Sequence, residues 1–185
     1  MSEYFVQNIY WGDTANGGDY LYGSVIQHLD KGVRFSNLRF ASGKPIKKWE
    51  SRTNYQGNRR SPVLPLLRPG HSYRLKQHFQ VEPAGRAYIQ IRFLNRRGVE
   101  VGLTILKNGE EEFTCPADSF TYTLTLYSAG CHTVEFNKLS LYSLDKPQTI
   151  HLSDEPRGFY AKERYPSDIA FVKHLIRGLK EEGAE

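Results

Sequence analysis

Two consecutive stretches alternate apolar and polar residues with a period of two, and that pattern restricts the fold more than any other feature of the chain. Tyr73, Leu75, Phe79 and Val81 share one parity against Arg74, Lys76, His78 and Gln80, and Ala87, Ile89, Ile91 and Phe93 repeat it against Tyr88, Gln90 and Arg92. Successive side chains of an extended chain point to opposite faces, so each stretch is a half-buried antiparallel strand with one face on a core. Residues 82–85 turn the chain between them. Further strands are expected over residues 6–11, 20–28, 33–40, 99–106, 120–128 and 133–144, separated by glycine, proline or asparagine turns. Gly23 marks a bulge or a close approach within residues 20–28. Residues 33–40 and 133–144 change apolar parity midway, which a β-bulge would repair, in the second case near Asn137 and Lys138. Asn108 with Gly109 is the strongest hairpin signal in the chain, since both accept the positive φ of a tight turn. Roughly nine short strands of this kind predict an all-β protein, an antiparallel β-sandwich or jelly roll.

Composition agrees. Aromatic residues reach 13%, led by 12 tyrosines and 10 phenylalanines, which suits strands and binding faces better than helical bundles. A formal charge of +5 is a mild excess that keeps a protein in solution and does not by itself declare a polyanionic partner. No stretch approaches the roughly 18 apolar residues needed to span a bilayer, and residues 1–11 lack a basic segment followed by an apolar one. A cytoplasmic location is therefore expected, with Cys115 and Cys131 as reduced thiols in preference to a disulfide.

Residues 46–73 break the strand pattern. They carry Trp49, Tyr55 and the cations Lys47, Lys48, Arg52, Arg59 and Arg60, then Val63, Leu64, Leu66 and Leu67 between Pro62, Pro65 and Pro69. Prolines at that density remove backbone donors and exclude helix and central strand, so the stretch reads as a long ordered connection, a strap that closes the sandwich. Trp49, Arg52, Tyr55, Arg59 and Arg60 are the candidate partner- or glycan-binding residues, because Trp and Tyr stack on sugar faces and anchor protein interfaces while Arg supplies forked donors. Two other readings of the same residues remain: Trp49 as a plug in the core, and a nucleic-acid groove, which the lack of continued positive charge on the flanking strands disfavours.

No motif for catalysis is visible. The six histidines lack metal-ligand spacing, the two cysteines are too far apart for a zinc knuckle, and there is neither a nucleophile elbow nor a phosphate-binding loop. No cofactor is implied and the chain is read as a non-enzyme. Glu110, Glu111 and Glu112 are read as a solvated edge. Asp13, Asn16 and Asp19 fit no calcium loop and are read as a solvated turn.

From Lys146 onward Pro147, Pro156 and Pro166 space out a polar connection, and Ser167 and Asp168 then cap an amphipathic helix whose stripe is Ile169, Val172, Leu175, Ile176 and Leu179. The expected organisation is a β-sandwich domain over residues 1–145 and a linker with one C-terminal helix over residues 146–185. That stripe docks either on its own sandwich or on a partner.

Particular residues carry a family resemblance. Tyr10, Trp11 and Gly12, then Leu21, Tyr22, Gly23 and Ser24, then Gly43 to Ile46 with Trp49, Ser51, Arg52, Asn54, Tyr55 and Gln56, followed by Pro62, Leu64, Pro65, Leu66, Leu67, Gly70 and Tyr73, resemble the third of the accessory Sec system proteins of Gram-positive bacteria. The resemblance implies a fold similar to carbohydrate-binding modules and a cytosolic, non-enzymatic role in export of serine-rich repeat glycoprotein adhesins. It also implies assembly with two other accessory Sec proteins, one glycosyltransferase-like and one acyl-hydrolase-like, and contact with the accessory Sec ATPase and the glycosylated adhesin. A carbohydrate-binding module without a transport role is the alternative.

Overall fold

The two alternating stretches lie in different sheets and face each other across the core. In the computed structural model, which describes residues 2–14, 17–54, 56, 61–107 and 109–146, the strands are β1 (Tyr4–Ile9), β2 (Val25–Leu29), β3 (Gly32–Ser36), β4 (Pro45–Glu50), β5 (Ser72–Glu82), β6 (Ala87–Leu94), β7 (Glu100–Leu106), β8 (Glu112–Thr114), β9 (Thr121–Ser128) and β10 (Thr133–Ser143). A six-stranded sheet runs β2-β3-β10-β5-β8, with β1 also paired to β10, and a four-stranded sheet runs β4-β9-β6-β7. Every pairing is antiparallel. The all-β sandwich expected from alternation is what forms. Phe35, Leu75, Phe136 and Leu139 from the larger sheet meet Ile89, Ile91, Phe93 and Leu126 from the smaller one, all fully buried, and this removal of apolar surface from water holds the two layers together.

The bulge expected in the last strand is present: the β10 register against β5 shifts between Phe136 and Lys138. Gly32 packs on it. A Cβ built there would stand 2.2 Å from the Phe136 carbonyl oxygen, and its φ of +138° lies where side chains rarely go. On the outer face of the larger sheet three cations are matched by carboxylates: Arg34 with Glu135 at 3.8 Å, Lys76 with Glu3 at 2.7 Å, and Arg74 with both Glu3 and Glu112. The Lys76 ammonium beside Glu3 holds that carboxyl below the usual carboxylate range.

Four expectations are corrected. Asn108–Gly109 does not close a hairpin: β7 lies in the four-stranded sheet, whereas β8 pairs with β5 in the other. Gly109 has the expected positive φ of 85°, but a turn signal reports local backbone only and is silent on which strand the chain meets next. Residues 46–50 are not connection but the inner part of β4, an edge strand in which Pro45 takes the first position, the place a strand tolerates it. The parity change in residues 33–40 is no bulge, because β3 ends at Ser36. There the Asn37 amide donates to the Tyr22 carbonyl and Ser24 hydroxyl, both at 3.0 Å, and its oxygen accepts from the Arg39 N–H at 3.1 Å, offering the chain a side-chain alternative to the ladder. Residues 20–24 precede β2 and are not part of it, with Gly23 at φ 67°.

Candidate functional site

Three neighbouring strands of the smaller sheet end together, and their ends build the clearest polar site among the described residues. Glu50 of β4 pairs with Thr123 of β9, and Leu94 of β6 pairs with Thr121 of the same strand. The register is carried one step further by backbone and side-chain bonds: the Ser51 N–H donates to the Tyr122 carbonyl at 3.0 Å, the Tyr122 N–H to the Ser51 hydroxyl at 2.8 Å, and the Phe120 N–H to the Leu94 carbonyl at 2.8 Å. Arg52, Phe120 and Arg96 are therefore brought side by side from positions far apart in sequence. Both guanidinium carbons sit over the Phe120 ring, Arg52 at 5.5 Å and Arg96 at 5.1 Å from its centre. Phe120 remains 44% exposed. The turn bearing Arg96 is held by Asn95, whose side-chain oxygen accepts from the N–H groups of Arg97 at 2.9 Å and Val99 at 3.1 Å.

The result is an open cleft of ≈ 600 Å³ lined by Lys48, Glu50, Arg52, Asn95, Arg96 and Thr123, among others. Lys48 and Glu50 pair with each other at 2.6 Å. A guanidinium held over an aromatic ring by cation–π attraction still carries N–H donors, so the arrangement offers two cations suited to carboxylate or phosphate oxygens.

Of the candidate residues read from sequence, Arg52 lies exposed in this cleft. Trp49 does not face outward. It is 2% exposed, its indole N–H donates to the Tyr10 carbonyl at 2.8 Å, and its ring stacks on Phe136 at 5.4 Å and meets Trp11 edge-on at 6.4 Å. Its strand parity pairs it with inward-facing Leu124, so Trp49 is the core plug and cannot itself stack on a ligand. Lys47 is also buried. Its side chain is 4% exposed and its ammonium pairs with the fully buried Asp19 carboxylate at 2.9 Å, above the Trp11 ring at 5.3 Å; Asp19 is thus part of the interior and not of a solvated turn. Tyr55, Arg59 and Arg60, the linker beyond Lys146, and the helix stripe of Ile169, Val172, Leu175, Ile176 and Leu179 lie outside the described residues. Phe120 and Arg96 went unrecognised from sequence, because no local pattern reports which strand ends become neighbours.

The proline-leucine segment straps one end of the sandwich. The N–H groups of Val63 and Leu64 donate to the Glu50 carbonyl at 3.2 and 3.3 Å, the Tyr122 hydroxyl donates to the Pro65 carbonyl at 2.8 Å, and the Tyr73 hydroxyl accepts from the Arg68 N–H at 2.8 Å. Strands of both sheets are thereby tied to it. Leu64 is buried beneath while Leu66 stands 83% exposed. Burial pushes the Tyr122 phenol well above the usual tyrosine range.

A second surface lies on the outer face of the smaller sheet, where Tyr88 and Tyr127 are directly opposed and stack in parallel at 5.3 Å. Cys115 and Cys131 are both buried and not bonded to each other, and burial pushes each thiol upward, away from the reactive thiolate. Among the described residues no group of three or more His, Cys, Asp or Glu side chains converges to hold a metal, and no helix is long and apolar enough to cross a membrane.

Comparison with known proteins adds what geometry alone does not. The family model described as accessory Sec secretory system ASP3 matches residues 19–143. The accessory Sec system protein of the same designation from Streptococcus gordonii is 35% identical over 144 residues, which cover 73% of this chain and 91% of that protein. A chain in the crystal structure of accessory secretory protein 1, 2 and 3 in Streptococcus pneumoniae is 34% identical with a TM-score of 0.69, covering 76% of this chain and 97% of that one. A chain of the glycosylation associate protein (Gap123) complex from Streptococcus agalactiae is 32% identical with a TM-score of 0.68, covering 86% of this chain and 50% of that one. This chain therefore spans about half the length of the Streptococcus agalactiae chain.

Proposed function

The chain belongs to the accessory Sec secretory system ASP3 family, and on that premise we propose that it is a non-catalytic, cytoplasmic binding subunit that assembles with two other accessory Sec proteins. The observation that carries this reading is the likeness, over nearly the whole of the relative's length, to a chain solved within a structure of accessory secretory proteins 1, 2 and 3. In this reading one partner is glycosyltransferase-like and the other acyl-hydrolase-like. The assembly receives the glycosylated serine-rich repeat adhesin and passes it to the accessory Sec ATPase, which brings the complex to the membrane periphery. The work of the chain is contact, and two surfaces suit it: the Arg52 cleft and the strap that holds Leu66 outward. The same reading assigns partner or glycan contact to Tyr55, Arg59 and Arg60, and partner docking to the apolar stripe of Ile169, Val172, Leu175, Ile176 and Leu179, all on their sequence alone. The test is a pull-down of the tagged full chain from its own cytosol. Recovery of both accessory proteins is expected; a chain that emerges alone contradicts the reading.

The stacked Tyr88–Tyr127 pair favours one second reading, a carbohydrate-binding module, because aromatic rings on an outer sheet face are what pyranose rings stack on. Glycan titration of the wild type and Tyr127→Ala tests it, with loss of binding in the variant as the supporting result and no binding by either as the opposing one. Trp49→Ala would be a core deletion and reports nothing about a ligand.

A further inference from the structure

The cleft at the β4, β6 and β9 strand ends holds more positive charge than the fold requires. Among the described residues neither Arg52 nor Arg96 comes within ion-pair distance of a carboxylate, whereas three cations on the outer sheet faces are matched: Arg34 with Glu135, Lys76 with Glu3, Arg92 with Glu100 at 3.0 Å. What both arginines do contact is Phe120, over whose ring their guanidinium carbons lie at 5.5 and 5.1 Å. The cation–π contact restrains each side chain while its N–H donors have no carboxylate partner among the described residues, so less side-chain entropy is lost when an oxyanion arrives. An exposed aromatic ring between arginines also has the composition of an interface hot spot.

We propose that this cleft docks an acidic segment of one of the two accessory Sec partners, with Arg52 and Arg96 as the forks that take its carboxylates and Phe120 as the plate that holds them. This rests on the reading of the chain as a complex subunit, and it names the chemistry of the contact. A protein segment fits better than a nucleic acid because the charge is confined. The adjoining outer face is neutralised by Lys48 with Glu50 at 2.6 Å and Arg92 with Glu100 at 3.0 Å, so the described residues offer no continuous basic track for a polynucleotide backbone to follow. A neutral sugar would leave both guanidiniums without a counter-charge.

The experiment titrates the full chain into the separately purified pair of accessory partners at about 0.1 M and about 0.5 M salt, conditions that differ in how strongly exposed charges are screened. The expected result has three parts. Wild-type affinity falls with salt; Arg52→Glu with Arg96→Glu weakens binding at least about tenfold at the lower salt while keeping the wild-type thermal midpoint, since both side chains are exposed; and Phe120→Ala weakens it about threefold by releasing the forks. Equal binding by the double glutamate variant overturns the proposal while leaving the complex reading intact. A wild type that does not bind the partners at all removes that reading instead. A random-sequence single-stranded oligonucleotide that binds the wild type and displaces the partners overturns it in favour of nucleic acid.

Discussion

The Lys47 ammonium is paired with the Asp19 carboxylate inside the sandwich, its side chain 4% exposed. β4 places it there, because Lys47 shares parity with Trp49 and pairs with inward-facing Leu126. A buried pair stabilises little against a well-packed apolar substitute, whereas removing one partner leaves a buried charge uncompensated. Lys47→Met alone is therefore expected to cost about 3 to 5 kcal/mol in denaturant unfolding, and adding Asp19→Leu to recover most of it. Two equally destabilised proteins would show that packing and not charge governs the position. Gly32 gives a second expectation at this scale. Alanine there would meet the Phe136 carbonyl at 2.2 Å and adopt a φ of +138°, so Gly32→Ala should lower stability by about 2 to 4 kcal/mol, measured as a shift of the denaturant midpoint at unchanged slope.

Among elements, the strap separates fold from contact most cleanly. Tyr122→Phe keeps the ring and loses the bond to the Pro65 carbonyl, an expected loss of about 1 kcal/mol near neutral pH. The phenol is raised by burial above its ordinary value near 10, so the unfolded chain releases this proton first as pH climbs. Stability then falls above about pH 10, a contribution absent below it. The phenylalanine variant should show a shallower alkaline decline in thermal midpoint, with the part owed to Tyr73, which burial also raises, left in place. Leu66→Asp, at an 83% exposed position, is expected to leave stability within about 0.5 kcal/mol of wild type and to weaken assembly with the accessory partners; a large drop in melting temperature would place Leu66 in the fold and not in a contact. Elements whose parity stays constant, such as β5, β6 and β9, were legible because burial on one face writes itself into alternate residues. β4 was hidden by prolines whose influence ends downstream of it, and β8 by the turn signal at Asn108–Gly109, which carries no information about the sheet crossing. The cleft was half legible: Arg52 stood out beside Trp49, while Arg96 and Phe120 join it only through the lateral order β4-β9-β6, a property of pairing that no single stretch records.

For the whole molecule, the sandwich supplies rigid strand ends, and those ends place Arg52, Phe120 and Arg96 beside a strap anchored to both sheets. Among the described residues the two thiols are buried and raised, and no group of three or more His, Cys, Asp or Glu side chains converges to hold a metal. The fold holds Arg52, Phe120 and Leu66 at an exposed surface, and a binding subunit must have such a surface occupied in an assembly. The direct measurement is light scattering coupled to size exclusion on the full chain mixed with its two accessory Sec proteins. A single species whose mass equals the sum of all three chains, or an integer multiple of it, is the predicted result. Elution of this chain at its own mass, apart from a complex of the other two, would contradict the claim that it is their binding subunit.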